Sequence, residues 1–533
     1  MKKWVSFILM LMIVFSLAAC SSSSAGQPVS QSVLPKTDSI MAKIAEDGTA
    51  YLPLMNGTAT VIKGNVVQAG ISPDRQHIVV LERDGQLYIT DPALSTKTVI
   101  SEEALTFLSL ENSGFIYIIY DGKDAHPYRC FFADGETSEP VTLALGDYDT
   151  LKASNNSLSL LLRNDDTLYV LPEAKNELEK VTSSSGQFDL KYISADGEFF
   201  AWSLKDGGTE TYYTWENGER ERICEFDNSY SVLIPNEAET GFIVTDISND
   251  TIYIKYRSMD VLKVRLGGEF SSAIPYTDKD YYLYDTGSIF PGVYVLVKSS
   301  SNSCSLYWIT PDGDREKLVS ELPRSTNSFM ISNNMLFYSD LDQNLFRAKV
   351  ENGKMAEAEK IASDAEIINA ANGNLYYARN VEKDGLGSLY VLKAGAKEPV
   401  RIASEVYSDP FTFTVSADGK TIWFFKDVEL LPTTDDEQMG TLYSYTLGAE
   451  ESVRVSSDVI VGSLTSGLQR GNRGINANSY LFSKLNAVED ETLFADWVYS
   501  DGTETTTIAR NVHNTNEKTY SDIYDIKKSS SAA

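Results

Sequence analysis

The sequence predicts an all-β fold of about ten repeated four-stranded modules, each about 42 residues long, and three recurring landmarks predict it. The first is a turn in which Ser or Asn stands beside Asp, Asn or Gly, ahead of an apolar run. It reads "SPDRQHIVV" at 72–80, "SADGEFFAW" at 194–202 and "SADGKTIWFF" at 416–425, with looser copies such as "SNNSLSLLL" at 154–162 and "SNNMLFYS" at 332–339. The second is a turn residue followed by an apolar–aromatic pair. It places Tyr88, Tyr128, Tyr169, Tyr213, Tyr253, Tyr307, Phe346, Tyr390, Tyr443 and Phe494. The third is a closing segment that opens on Lys or Arg: "KVTSSS" (180–185), "RICEFD" (222–227), "RIASEVY" (401–407) and "RVSSDVI" (454–460). The landmarks keep this order along the chain.

The elements follow from the N-terminus. Lys2 and Lys3 precede an apolar run from Trp4 to Ala19, which is a secretory signal pattern and too short for a comfortable membrane span. The run ends in Leu17-Ala18-Ala19-Cys20. This ending resembles the lipobox of bacterial lipoproteins, which implies a signal peptide over 1–19 and a lipid on the Cys20 thiol. Residues 20–36 are Ser-rich, without apolar periodicity, and read as a tether. Stable anchoring needs more than one acyl chain, which a diacylglycerol supplies. The expected site is the extracytoplasmic face of a cell membrane, on a Gram-positive surface.

Next, "GTAYLPLMNGTATVIKG" (48–64) carries two strand-like segments ahead of the first full module. They can complete a terminal blade and latch a ring shut. Within the modules, alternation such as Leu442-Tyr443-Ser444-Tyr445 is strand period. Asp-Gly and Asn-Gly between such segments are hairpin turns, because these residues accept positive φ at little cost. One module cannot bury both faces of its sheet. Stacking neighbours around an axis does so, which predicts a β-propeller with the recurring aromatics as its packing layer. In this scheme Asp418 is a turn residue between two inner strands, and Trp423 packs between blades.

Read together, the landmarks resemble the TolB-type propeller repeat, and similar blades occur in a family of bacterial surface lipoproteins. The resemblance spans nearly the whole mature chain and implies blade folding rather than a chemistry. Pro73 occurs in only one copy, and many turns lack Gly. About ten modules exceeds the usual 4–8 blades. The chain therefore forms two adjacent rings or one large ring, with a slight preference for two, as modules over 37–275 and 276–520. A polar tail covers 521–533.

Composition narrows the partners. The chain carries 46 Lys and Arg against 75 Asp and Glu, a formal charge of −29. Losing Lys2 and Lys3 with the leader makes it −31. That excludes nucleic acid as a natural partner. Cys130, Cys224 and Cys304 are widely spaced, and each sits in a strand-like run, so they read as buried free thiols. The three histidines, His77, His126 and His513, show no paired spacing, and neither HExxH nor CxxC occurs, so no metal or cofactor is expected. "RNDDTLY" (163–169) and "PDGDRE" (311–316) cluster oxygen ligands, and hairpin turns account for both. No GxSxG elbow occurs, and the repeats leave no length for a separate hydrolase domain.

One segment departs from the repeat. "VGSLTSGLQRGNRGINANSY" (461–480) is Gly-rich and locally basic, and Arg470 and Arg473 make it the candidate ligand loop. No catalytic constellation emerges. The expected function is a non-catalytic binding or scaffold module for a protein, peptide or glycan. The alternative is a carbohydrate-active or peptide-hydrolysing propeller, which requires carboxylates from several blades at one mouth.

Overall fold

The structure, a computed structural model, describes residues 40–513 apart from 46, 54–58, 123, 133–140, 145, 147–149, 155–156, 195, 228–230, 236–240, 247–250, 266–292, 310–312, 324–327, 352, 384, 409–411, 417, 432–437, 467–479, 490–491 and 501–503. The described chain contains no α-helix. Its strands form successive antiparallel sheets whose spatial order follows chain order. Val66–Ile71, Ile78–Glu82, Leu87–Thr90 and Thr98–Ser101 make one sheet, with Ile40–Met41 paired along its Val66–Ile71 edge. Four-stranded sheets follow at 104–144, 150–183, 187–227 and 231–265. Further sheets lie at 293–323, 329–362 and 365–407. The last two, 414–460 and 480–513, are joined in one ladder through Val459 opposite Lys484.

The Ser-x-Asp turn links the first two strands of its sheet. Ser416 Oγ donates to Asp418 Oδ1 at 2.7 Å and accepts from the amides of Lys420 and Thr421 at 3.2 and 2.9 Å. Ser72 and Ser194 repeat the arrangement with Asp74 and Asp196. Each serine is buried, so its hydroxyl satisfies amides that the reversal would otherwise leave unpaired. The glycine of the motif has a second cause. Gly419 adopts φ 66°, and a Cβ there would stand 2.8 Å from the Ala371 carbonyl of the preceding sheet. Tyr376 of that sheet donates to the Gly419 carbonyl at 2.9 Å.

All ten landmark aromatics fall in the strand expected of them, but they are not the core. Only Tyr88 is buried, and the other nine are half-buried. The residue before each is what fills the interior: Leu87, Leu168, Leu306, Leu345, Leu389 and Leu442 are fully buried. Full burial of a leucine contributes about 1.5–3 kcal/mol. The aromatic instead stacks on its partner one strand inward. Tyr117–Tyr128, Trp202–Tyr213, Tyr338–Phe346, Tyr377–Tyr390 and Phe424–Tyr443 are directly opposed pairs with centroids 5.0–5.7 Å apart.

The basic residue of the third landmark is explained by register. Lys180, Arg222, Lys263, Lys317, Lys360, Arg401 and Arg454 each pair directly with the landmark aromatic of their own sheet. In several sheets a cation covers that ring, as Lys263 covers Tyr253 at 5.4 Å and Lys317 covers Tyr307 at 5.3 Å. The ladder also slips between the aromatic and the residue before it at Tyr88, Tyr169, Tyr213, Tyr307, Phe346, Tyr390 and Tyr443. Such a bulge adds local twist, which a blade needs in its outer half.

Apolar clusters join each sheet to the next. Phe107 and Phe115 pack on Val79 and Leu87, Ile116 on Leu160 and Leu162, and Phe200 and Trp202 on Leu161 and Leu168. Across the 266–292 interval, Ile252 and Ile254 pack on Val295 and Ile309. The series closes on itself. Strands Ala50–Pro53 and Ala59–Ile62, with Lys43–Ile44, form a small sheet between the first and last full ones. Ala50, Leu52 and Ile62 share one cluster with Ile71 and Val80 on one side and Trp497, Tyr499 and Val512 on the other. Lys43 Nζ donates to Ser483 Oγ at 3.1 Å. The fold is thus a propeller-type series of sheets that runs through the middle of the chain and meets itself at the ends. This is the one-ring alternative, not the two rings preferred from sequence. The reason is apolar surface: both faces of the 231–265 sheet are taken by chain neighbours, which leaves none to close a first ring.

Candidate functional site

The expected site residues Cys20, Arg470 and Arg473 lie outside the described residues. Cys130, Cys224 and Cys304 are buried as expected and form no disulfide among the described residues, and burial pushes the Cys224 thiol well up. The histidines stay apart. His77 stacks on Phe132 at 4.0 Å, His126 Nε2 lies 3.1 Å from Asp121, and His513 ends the last strand. Asp165 turns a hairpin at φ 47°, between the paired residues Asn164 and Thr167. Among the described residues no three His, Cys, Asp or Glu side chains converge on one point.

Two places gather polar side chains. The first draws on three consecutive sheets. Glu210 is buried; its Oε1 accepts from Ser203 and its Oε2 from Ser231, both at 2.6 Å. Tyr212 donates to Ser231 at 2.8 Å, and burial raises its phenol far above the usual value, so the donor stays protonated. Lys191 pairs with Asp189 and stands 3.7 Å from Glu210. Lys152 reaches in from the preceding sheet, and burial lowers its ammonium against the pull of Asp189. Both carboxylates belong to the 187–227 sheet, so this is an ion-pair network and not the several-blade carboxylate cluster that the enzymatic reading requires.

The second place is the seam between the 414–460 and 480–513 sheets. A cleft of ≈ 430 Å³ opens there. The core beneath it holds Trp423 packed at a tilt against Tyr480, ring centroids 4.8 Å apart, which confirms Trp423 as an inter-sheet packer. The cleft is lined by Arg454, Ser456 and Ser457 from one sheet, and by Phe482, Lys484, Val498, Thr505 and Thr507 from the other. Sequence reading passed over Arg454 because it matched the third landmark, and over Lys484 because nothing around it repeats. No sequence signal sets either residue apart; in the structure Lys426 covers Tyr443 at 5.3 Å, and Arg454, although opposite that ring in the ladder, is not the cation over it.

No protein-family profile matches the chain, and no curated sequence does either. Solved structures that it resembles include the tricorn protease, at 12% identity and TM-score 0.32, over 90% of this chain and 58% of that one. Dipeptidyl peptidase 4 of Porphyromonas gingivalis gives 10% identity and TM-score 0.34, over 81% of this chain and 64% of that one. The WD40 domain of SCAP from fission yeast gives 9% identity and TM-score 0.26, over 88% of this chain and all of that one. The chain thus spans about three fifths of the two peptidases it resembles. The propeller assignment itself rests on the sheet order and on the closed series of apolar clusters.

Proposed function

We propose that the chain is a lipid-anchored, extracytoplasmic propeller that acts as a non-catalytic binding module for a protein, peptide or glycan. The cleft at the 414–460 and 480–513 seam is the observation that carries this reading. It sets two cations and four hydroxyls on a rigid β scaffold within a strongly acidic chain. The loop bearing Arg470 and Arg473 joins Thr465–Ser466 to Tyr480–Glu489 in sequence, and the second of these strands lines the cleft. Lipid on Cys20 would hold this surface at the envelope, facing outward.

Cross-linking capture from intact cells tests the reading. A specific partner should be recovered with the full chain, and Cys20→Ala should abolish lipid labelling while leaving partner affinity intact. Turnover of a defined substrate, lost in Glu210→Gln, would instead favour the enzymatic alternative, because Glu210 is the most enclosed carboxylate of the inner network.

A further inference from the structure

We infer that the seam cleft binds a carboxylated sugar unit, an inference that rests on the binding-module reading and names its ligand class. The cleft exists because the two sheets are joined by a ladder at one point, Val459 opposite Lys484, and separate beyond it. Apolar Phe482, Val498 and Val455 line the wedge together with the hydroxyls.

Charge gives the sign of the ligand. Arg454 is exposed and Lys484 half-buried, and among the described residues neither forms an ion pair or a hydrogen bond through its side chain. Asp496 stands opposite Lys484 in the ladder, but its Oδ1 accepts from Asn486 Nδ2 and from the Asn511 amide at 3.0 Å. Asp458 shares a strand with Arg454 and does not line the cleft. A guanidinium fork takes both oxygens of a carboxylate, while an ammonium adds a point charge beside it.

The hydroxyls and the volume select a sugar over a bare oxyanion. Ser457, Thr505 and Thr507 can each donate and accept, and Ser456, whose hydroxyl donates to the Ser457 carbonyl at 3.1 Å, can accept, which suits the hydroxyls of a sugar ring. A bare phosphate needs donors only and would leave most of the space to water. The ≈ 430 Å³ lies within the range of small-ligand pockets, about 300–1,000 Å³.

The test is calorimetric titration of the full chain with an oligosaccharide ending in glucuronic acid. The same oligosaccharide ending in glucose, a peptide with a free C-terminal carboxylate, and inorganic phosphate serve as parallel arms. One-site binding of the glucuronate-ended probe is expected, at least about tenfold tighter than the glucose-ended one, as one charge-assisted contact requires. Arg454→Ala and Lys484→Met should each weaken it about tenfold or more, with an unchanged thermal midpoint. Equal affinity for the neutral probe, indifference to both substitutions, tighter binding of the peptide or of phosphate, or no binding of the glucuronate probe would each overturn the inference. None of these would remove the binding-module reading, which stands or falls on the capture experiment.

Discussion

The seam between the 187–227 and 231–265 sheets and the seam between the 414–460 and 480–513 sheets bury the same kind of core. The first packs Tyr192, Phe199 and Phe226 against Phe242 and Val244. The second packs Trp423, Phe425 and Leu442 against Tyr480, Phe482 and Val498. Their polar margins differ. At the first seam charges are matched: Arg257 reaches across to Asp196 and Glu198, buried Lys255 pairs with Glu216 and Glu221, and Glu210 takes Ser231. At the second, Arg454 and Lys484 face an open cleft. A charge matched inside an interface has been spent on the fold. A charge left facing space costs the fold little to keep and is available to a ligand.

The largest expected effect is on the core of the second seam. Trp423→Ala removes a fully buried indole that packs at a tilt against Tyr480, and should destabilise by about 3–5 kcal/mol. The shift of the denaturant midpoint measures it, and a loss below 1 kcal/mol would mean that Trp423 does not join the sheets.

The next substitution sharpens the contrast in polar margins. Glu210→Gln takes the charge from Lys191 and an acceptor from either Ser203 or Ser231, and should cost about 1–3 kcal/mol. Arg454→Ala, at an exposed and unpaired position, should stay within about 0.5 kcal/mol. Comparable losses for the two would erase the distinction.

The repeat turn separates its own two polar residues in the same way. Ser416→Ala deprives the Thr421 amide of its side-chain acceptor, leaves the Lys420 amide only Asp418, and should cost about 1 kcal/mol. Asp418→Asn keeps an oxygen for Ser416 and for the Lys420 amide, and should stay within about 0.5 kcal/mol. A larger loss for the asparagine variant would give Asp418 a role beyond the turn.

The smallest effect is a pH dependence at the matched seam. Burial pushes the Asp196 carboxyl up, but the Ser194 hydroxyl, the Glu198 amide and Arg257 outweigh it and hold it below its ordinary 3.8. A carboxyl lowered by folding contributes stability above its unfolded pKa and loses it as pH falls through the folded value. Asp196→Asn should therefore lower stability modestly at neutral pH and flatten the loss below about pH 4, the two proteins converging in acid. Titration of unfolding midpoints in both proteins measures this, and identical acid limbs would exclude Asp196 from the effect.

Much of the fold was legible because a blade repeats its local chemistry. Ser416, Asp418 and Tyr443 recur as types at a fixed spacing, and spacing is what a sequence displays. The closing role of 48–64 was legible for the same reason, since it supplies strands without a full module. The exposure of the landmark aromatics was not. Leu442 and Tyr443 face opposite sides of their strand, and the packing of the neighbouring sheets, which residue types do not display, encloses the leucine fully and the tyrosine only in part. The candidate site was less legible still. Arg454 and Lys484 are thirty residues apart, in strands that meet only through Val459, and no spacing rule brings them together. The preference for two rings failed because a long interval in the repeat resembles a linker, whereas the sheets flanking it pack on each other.

The claim that the terminal seam holds its cations for a ligand and not for the fold is tested most directly by the unfolding free energy of the Arg454→Ala, Lys484→Met double variant. Stability within about 0.5 kcal/mol of the parent is predicted, since no pairing is lost. A loss of about 2 kcal/mol or more would show that the two cations hold the seam together, and would contradict the account.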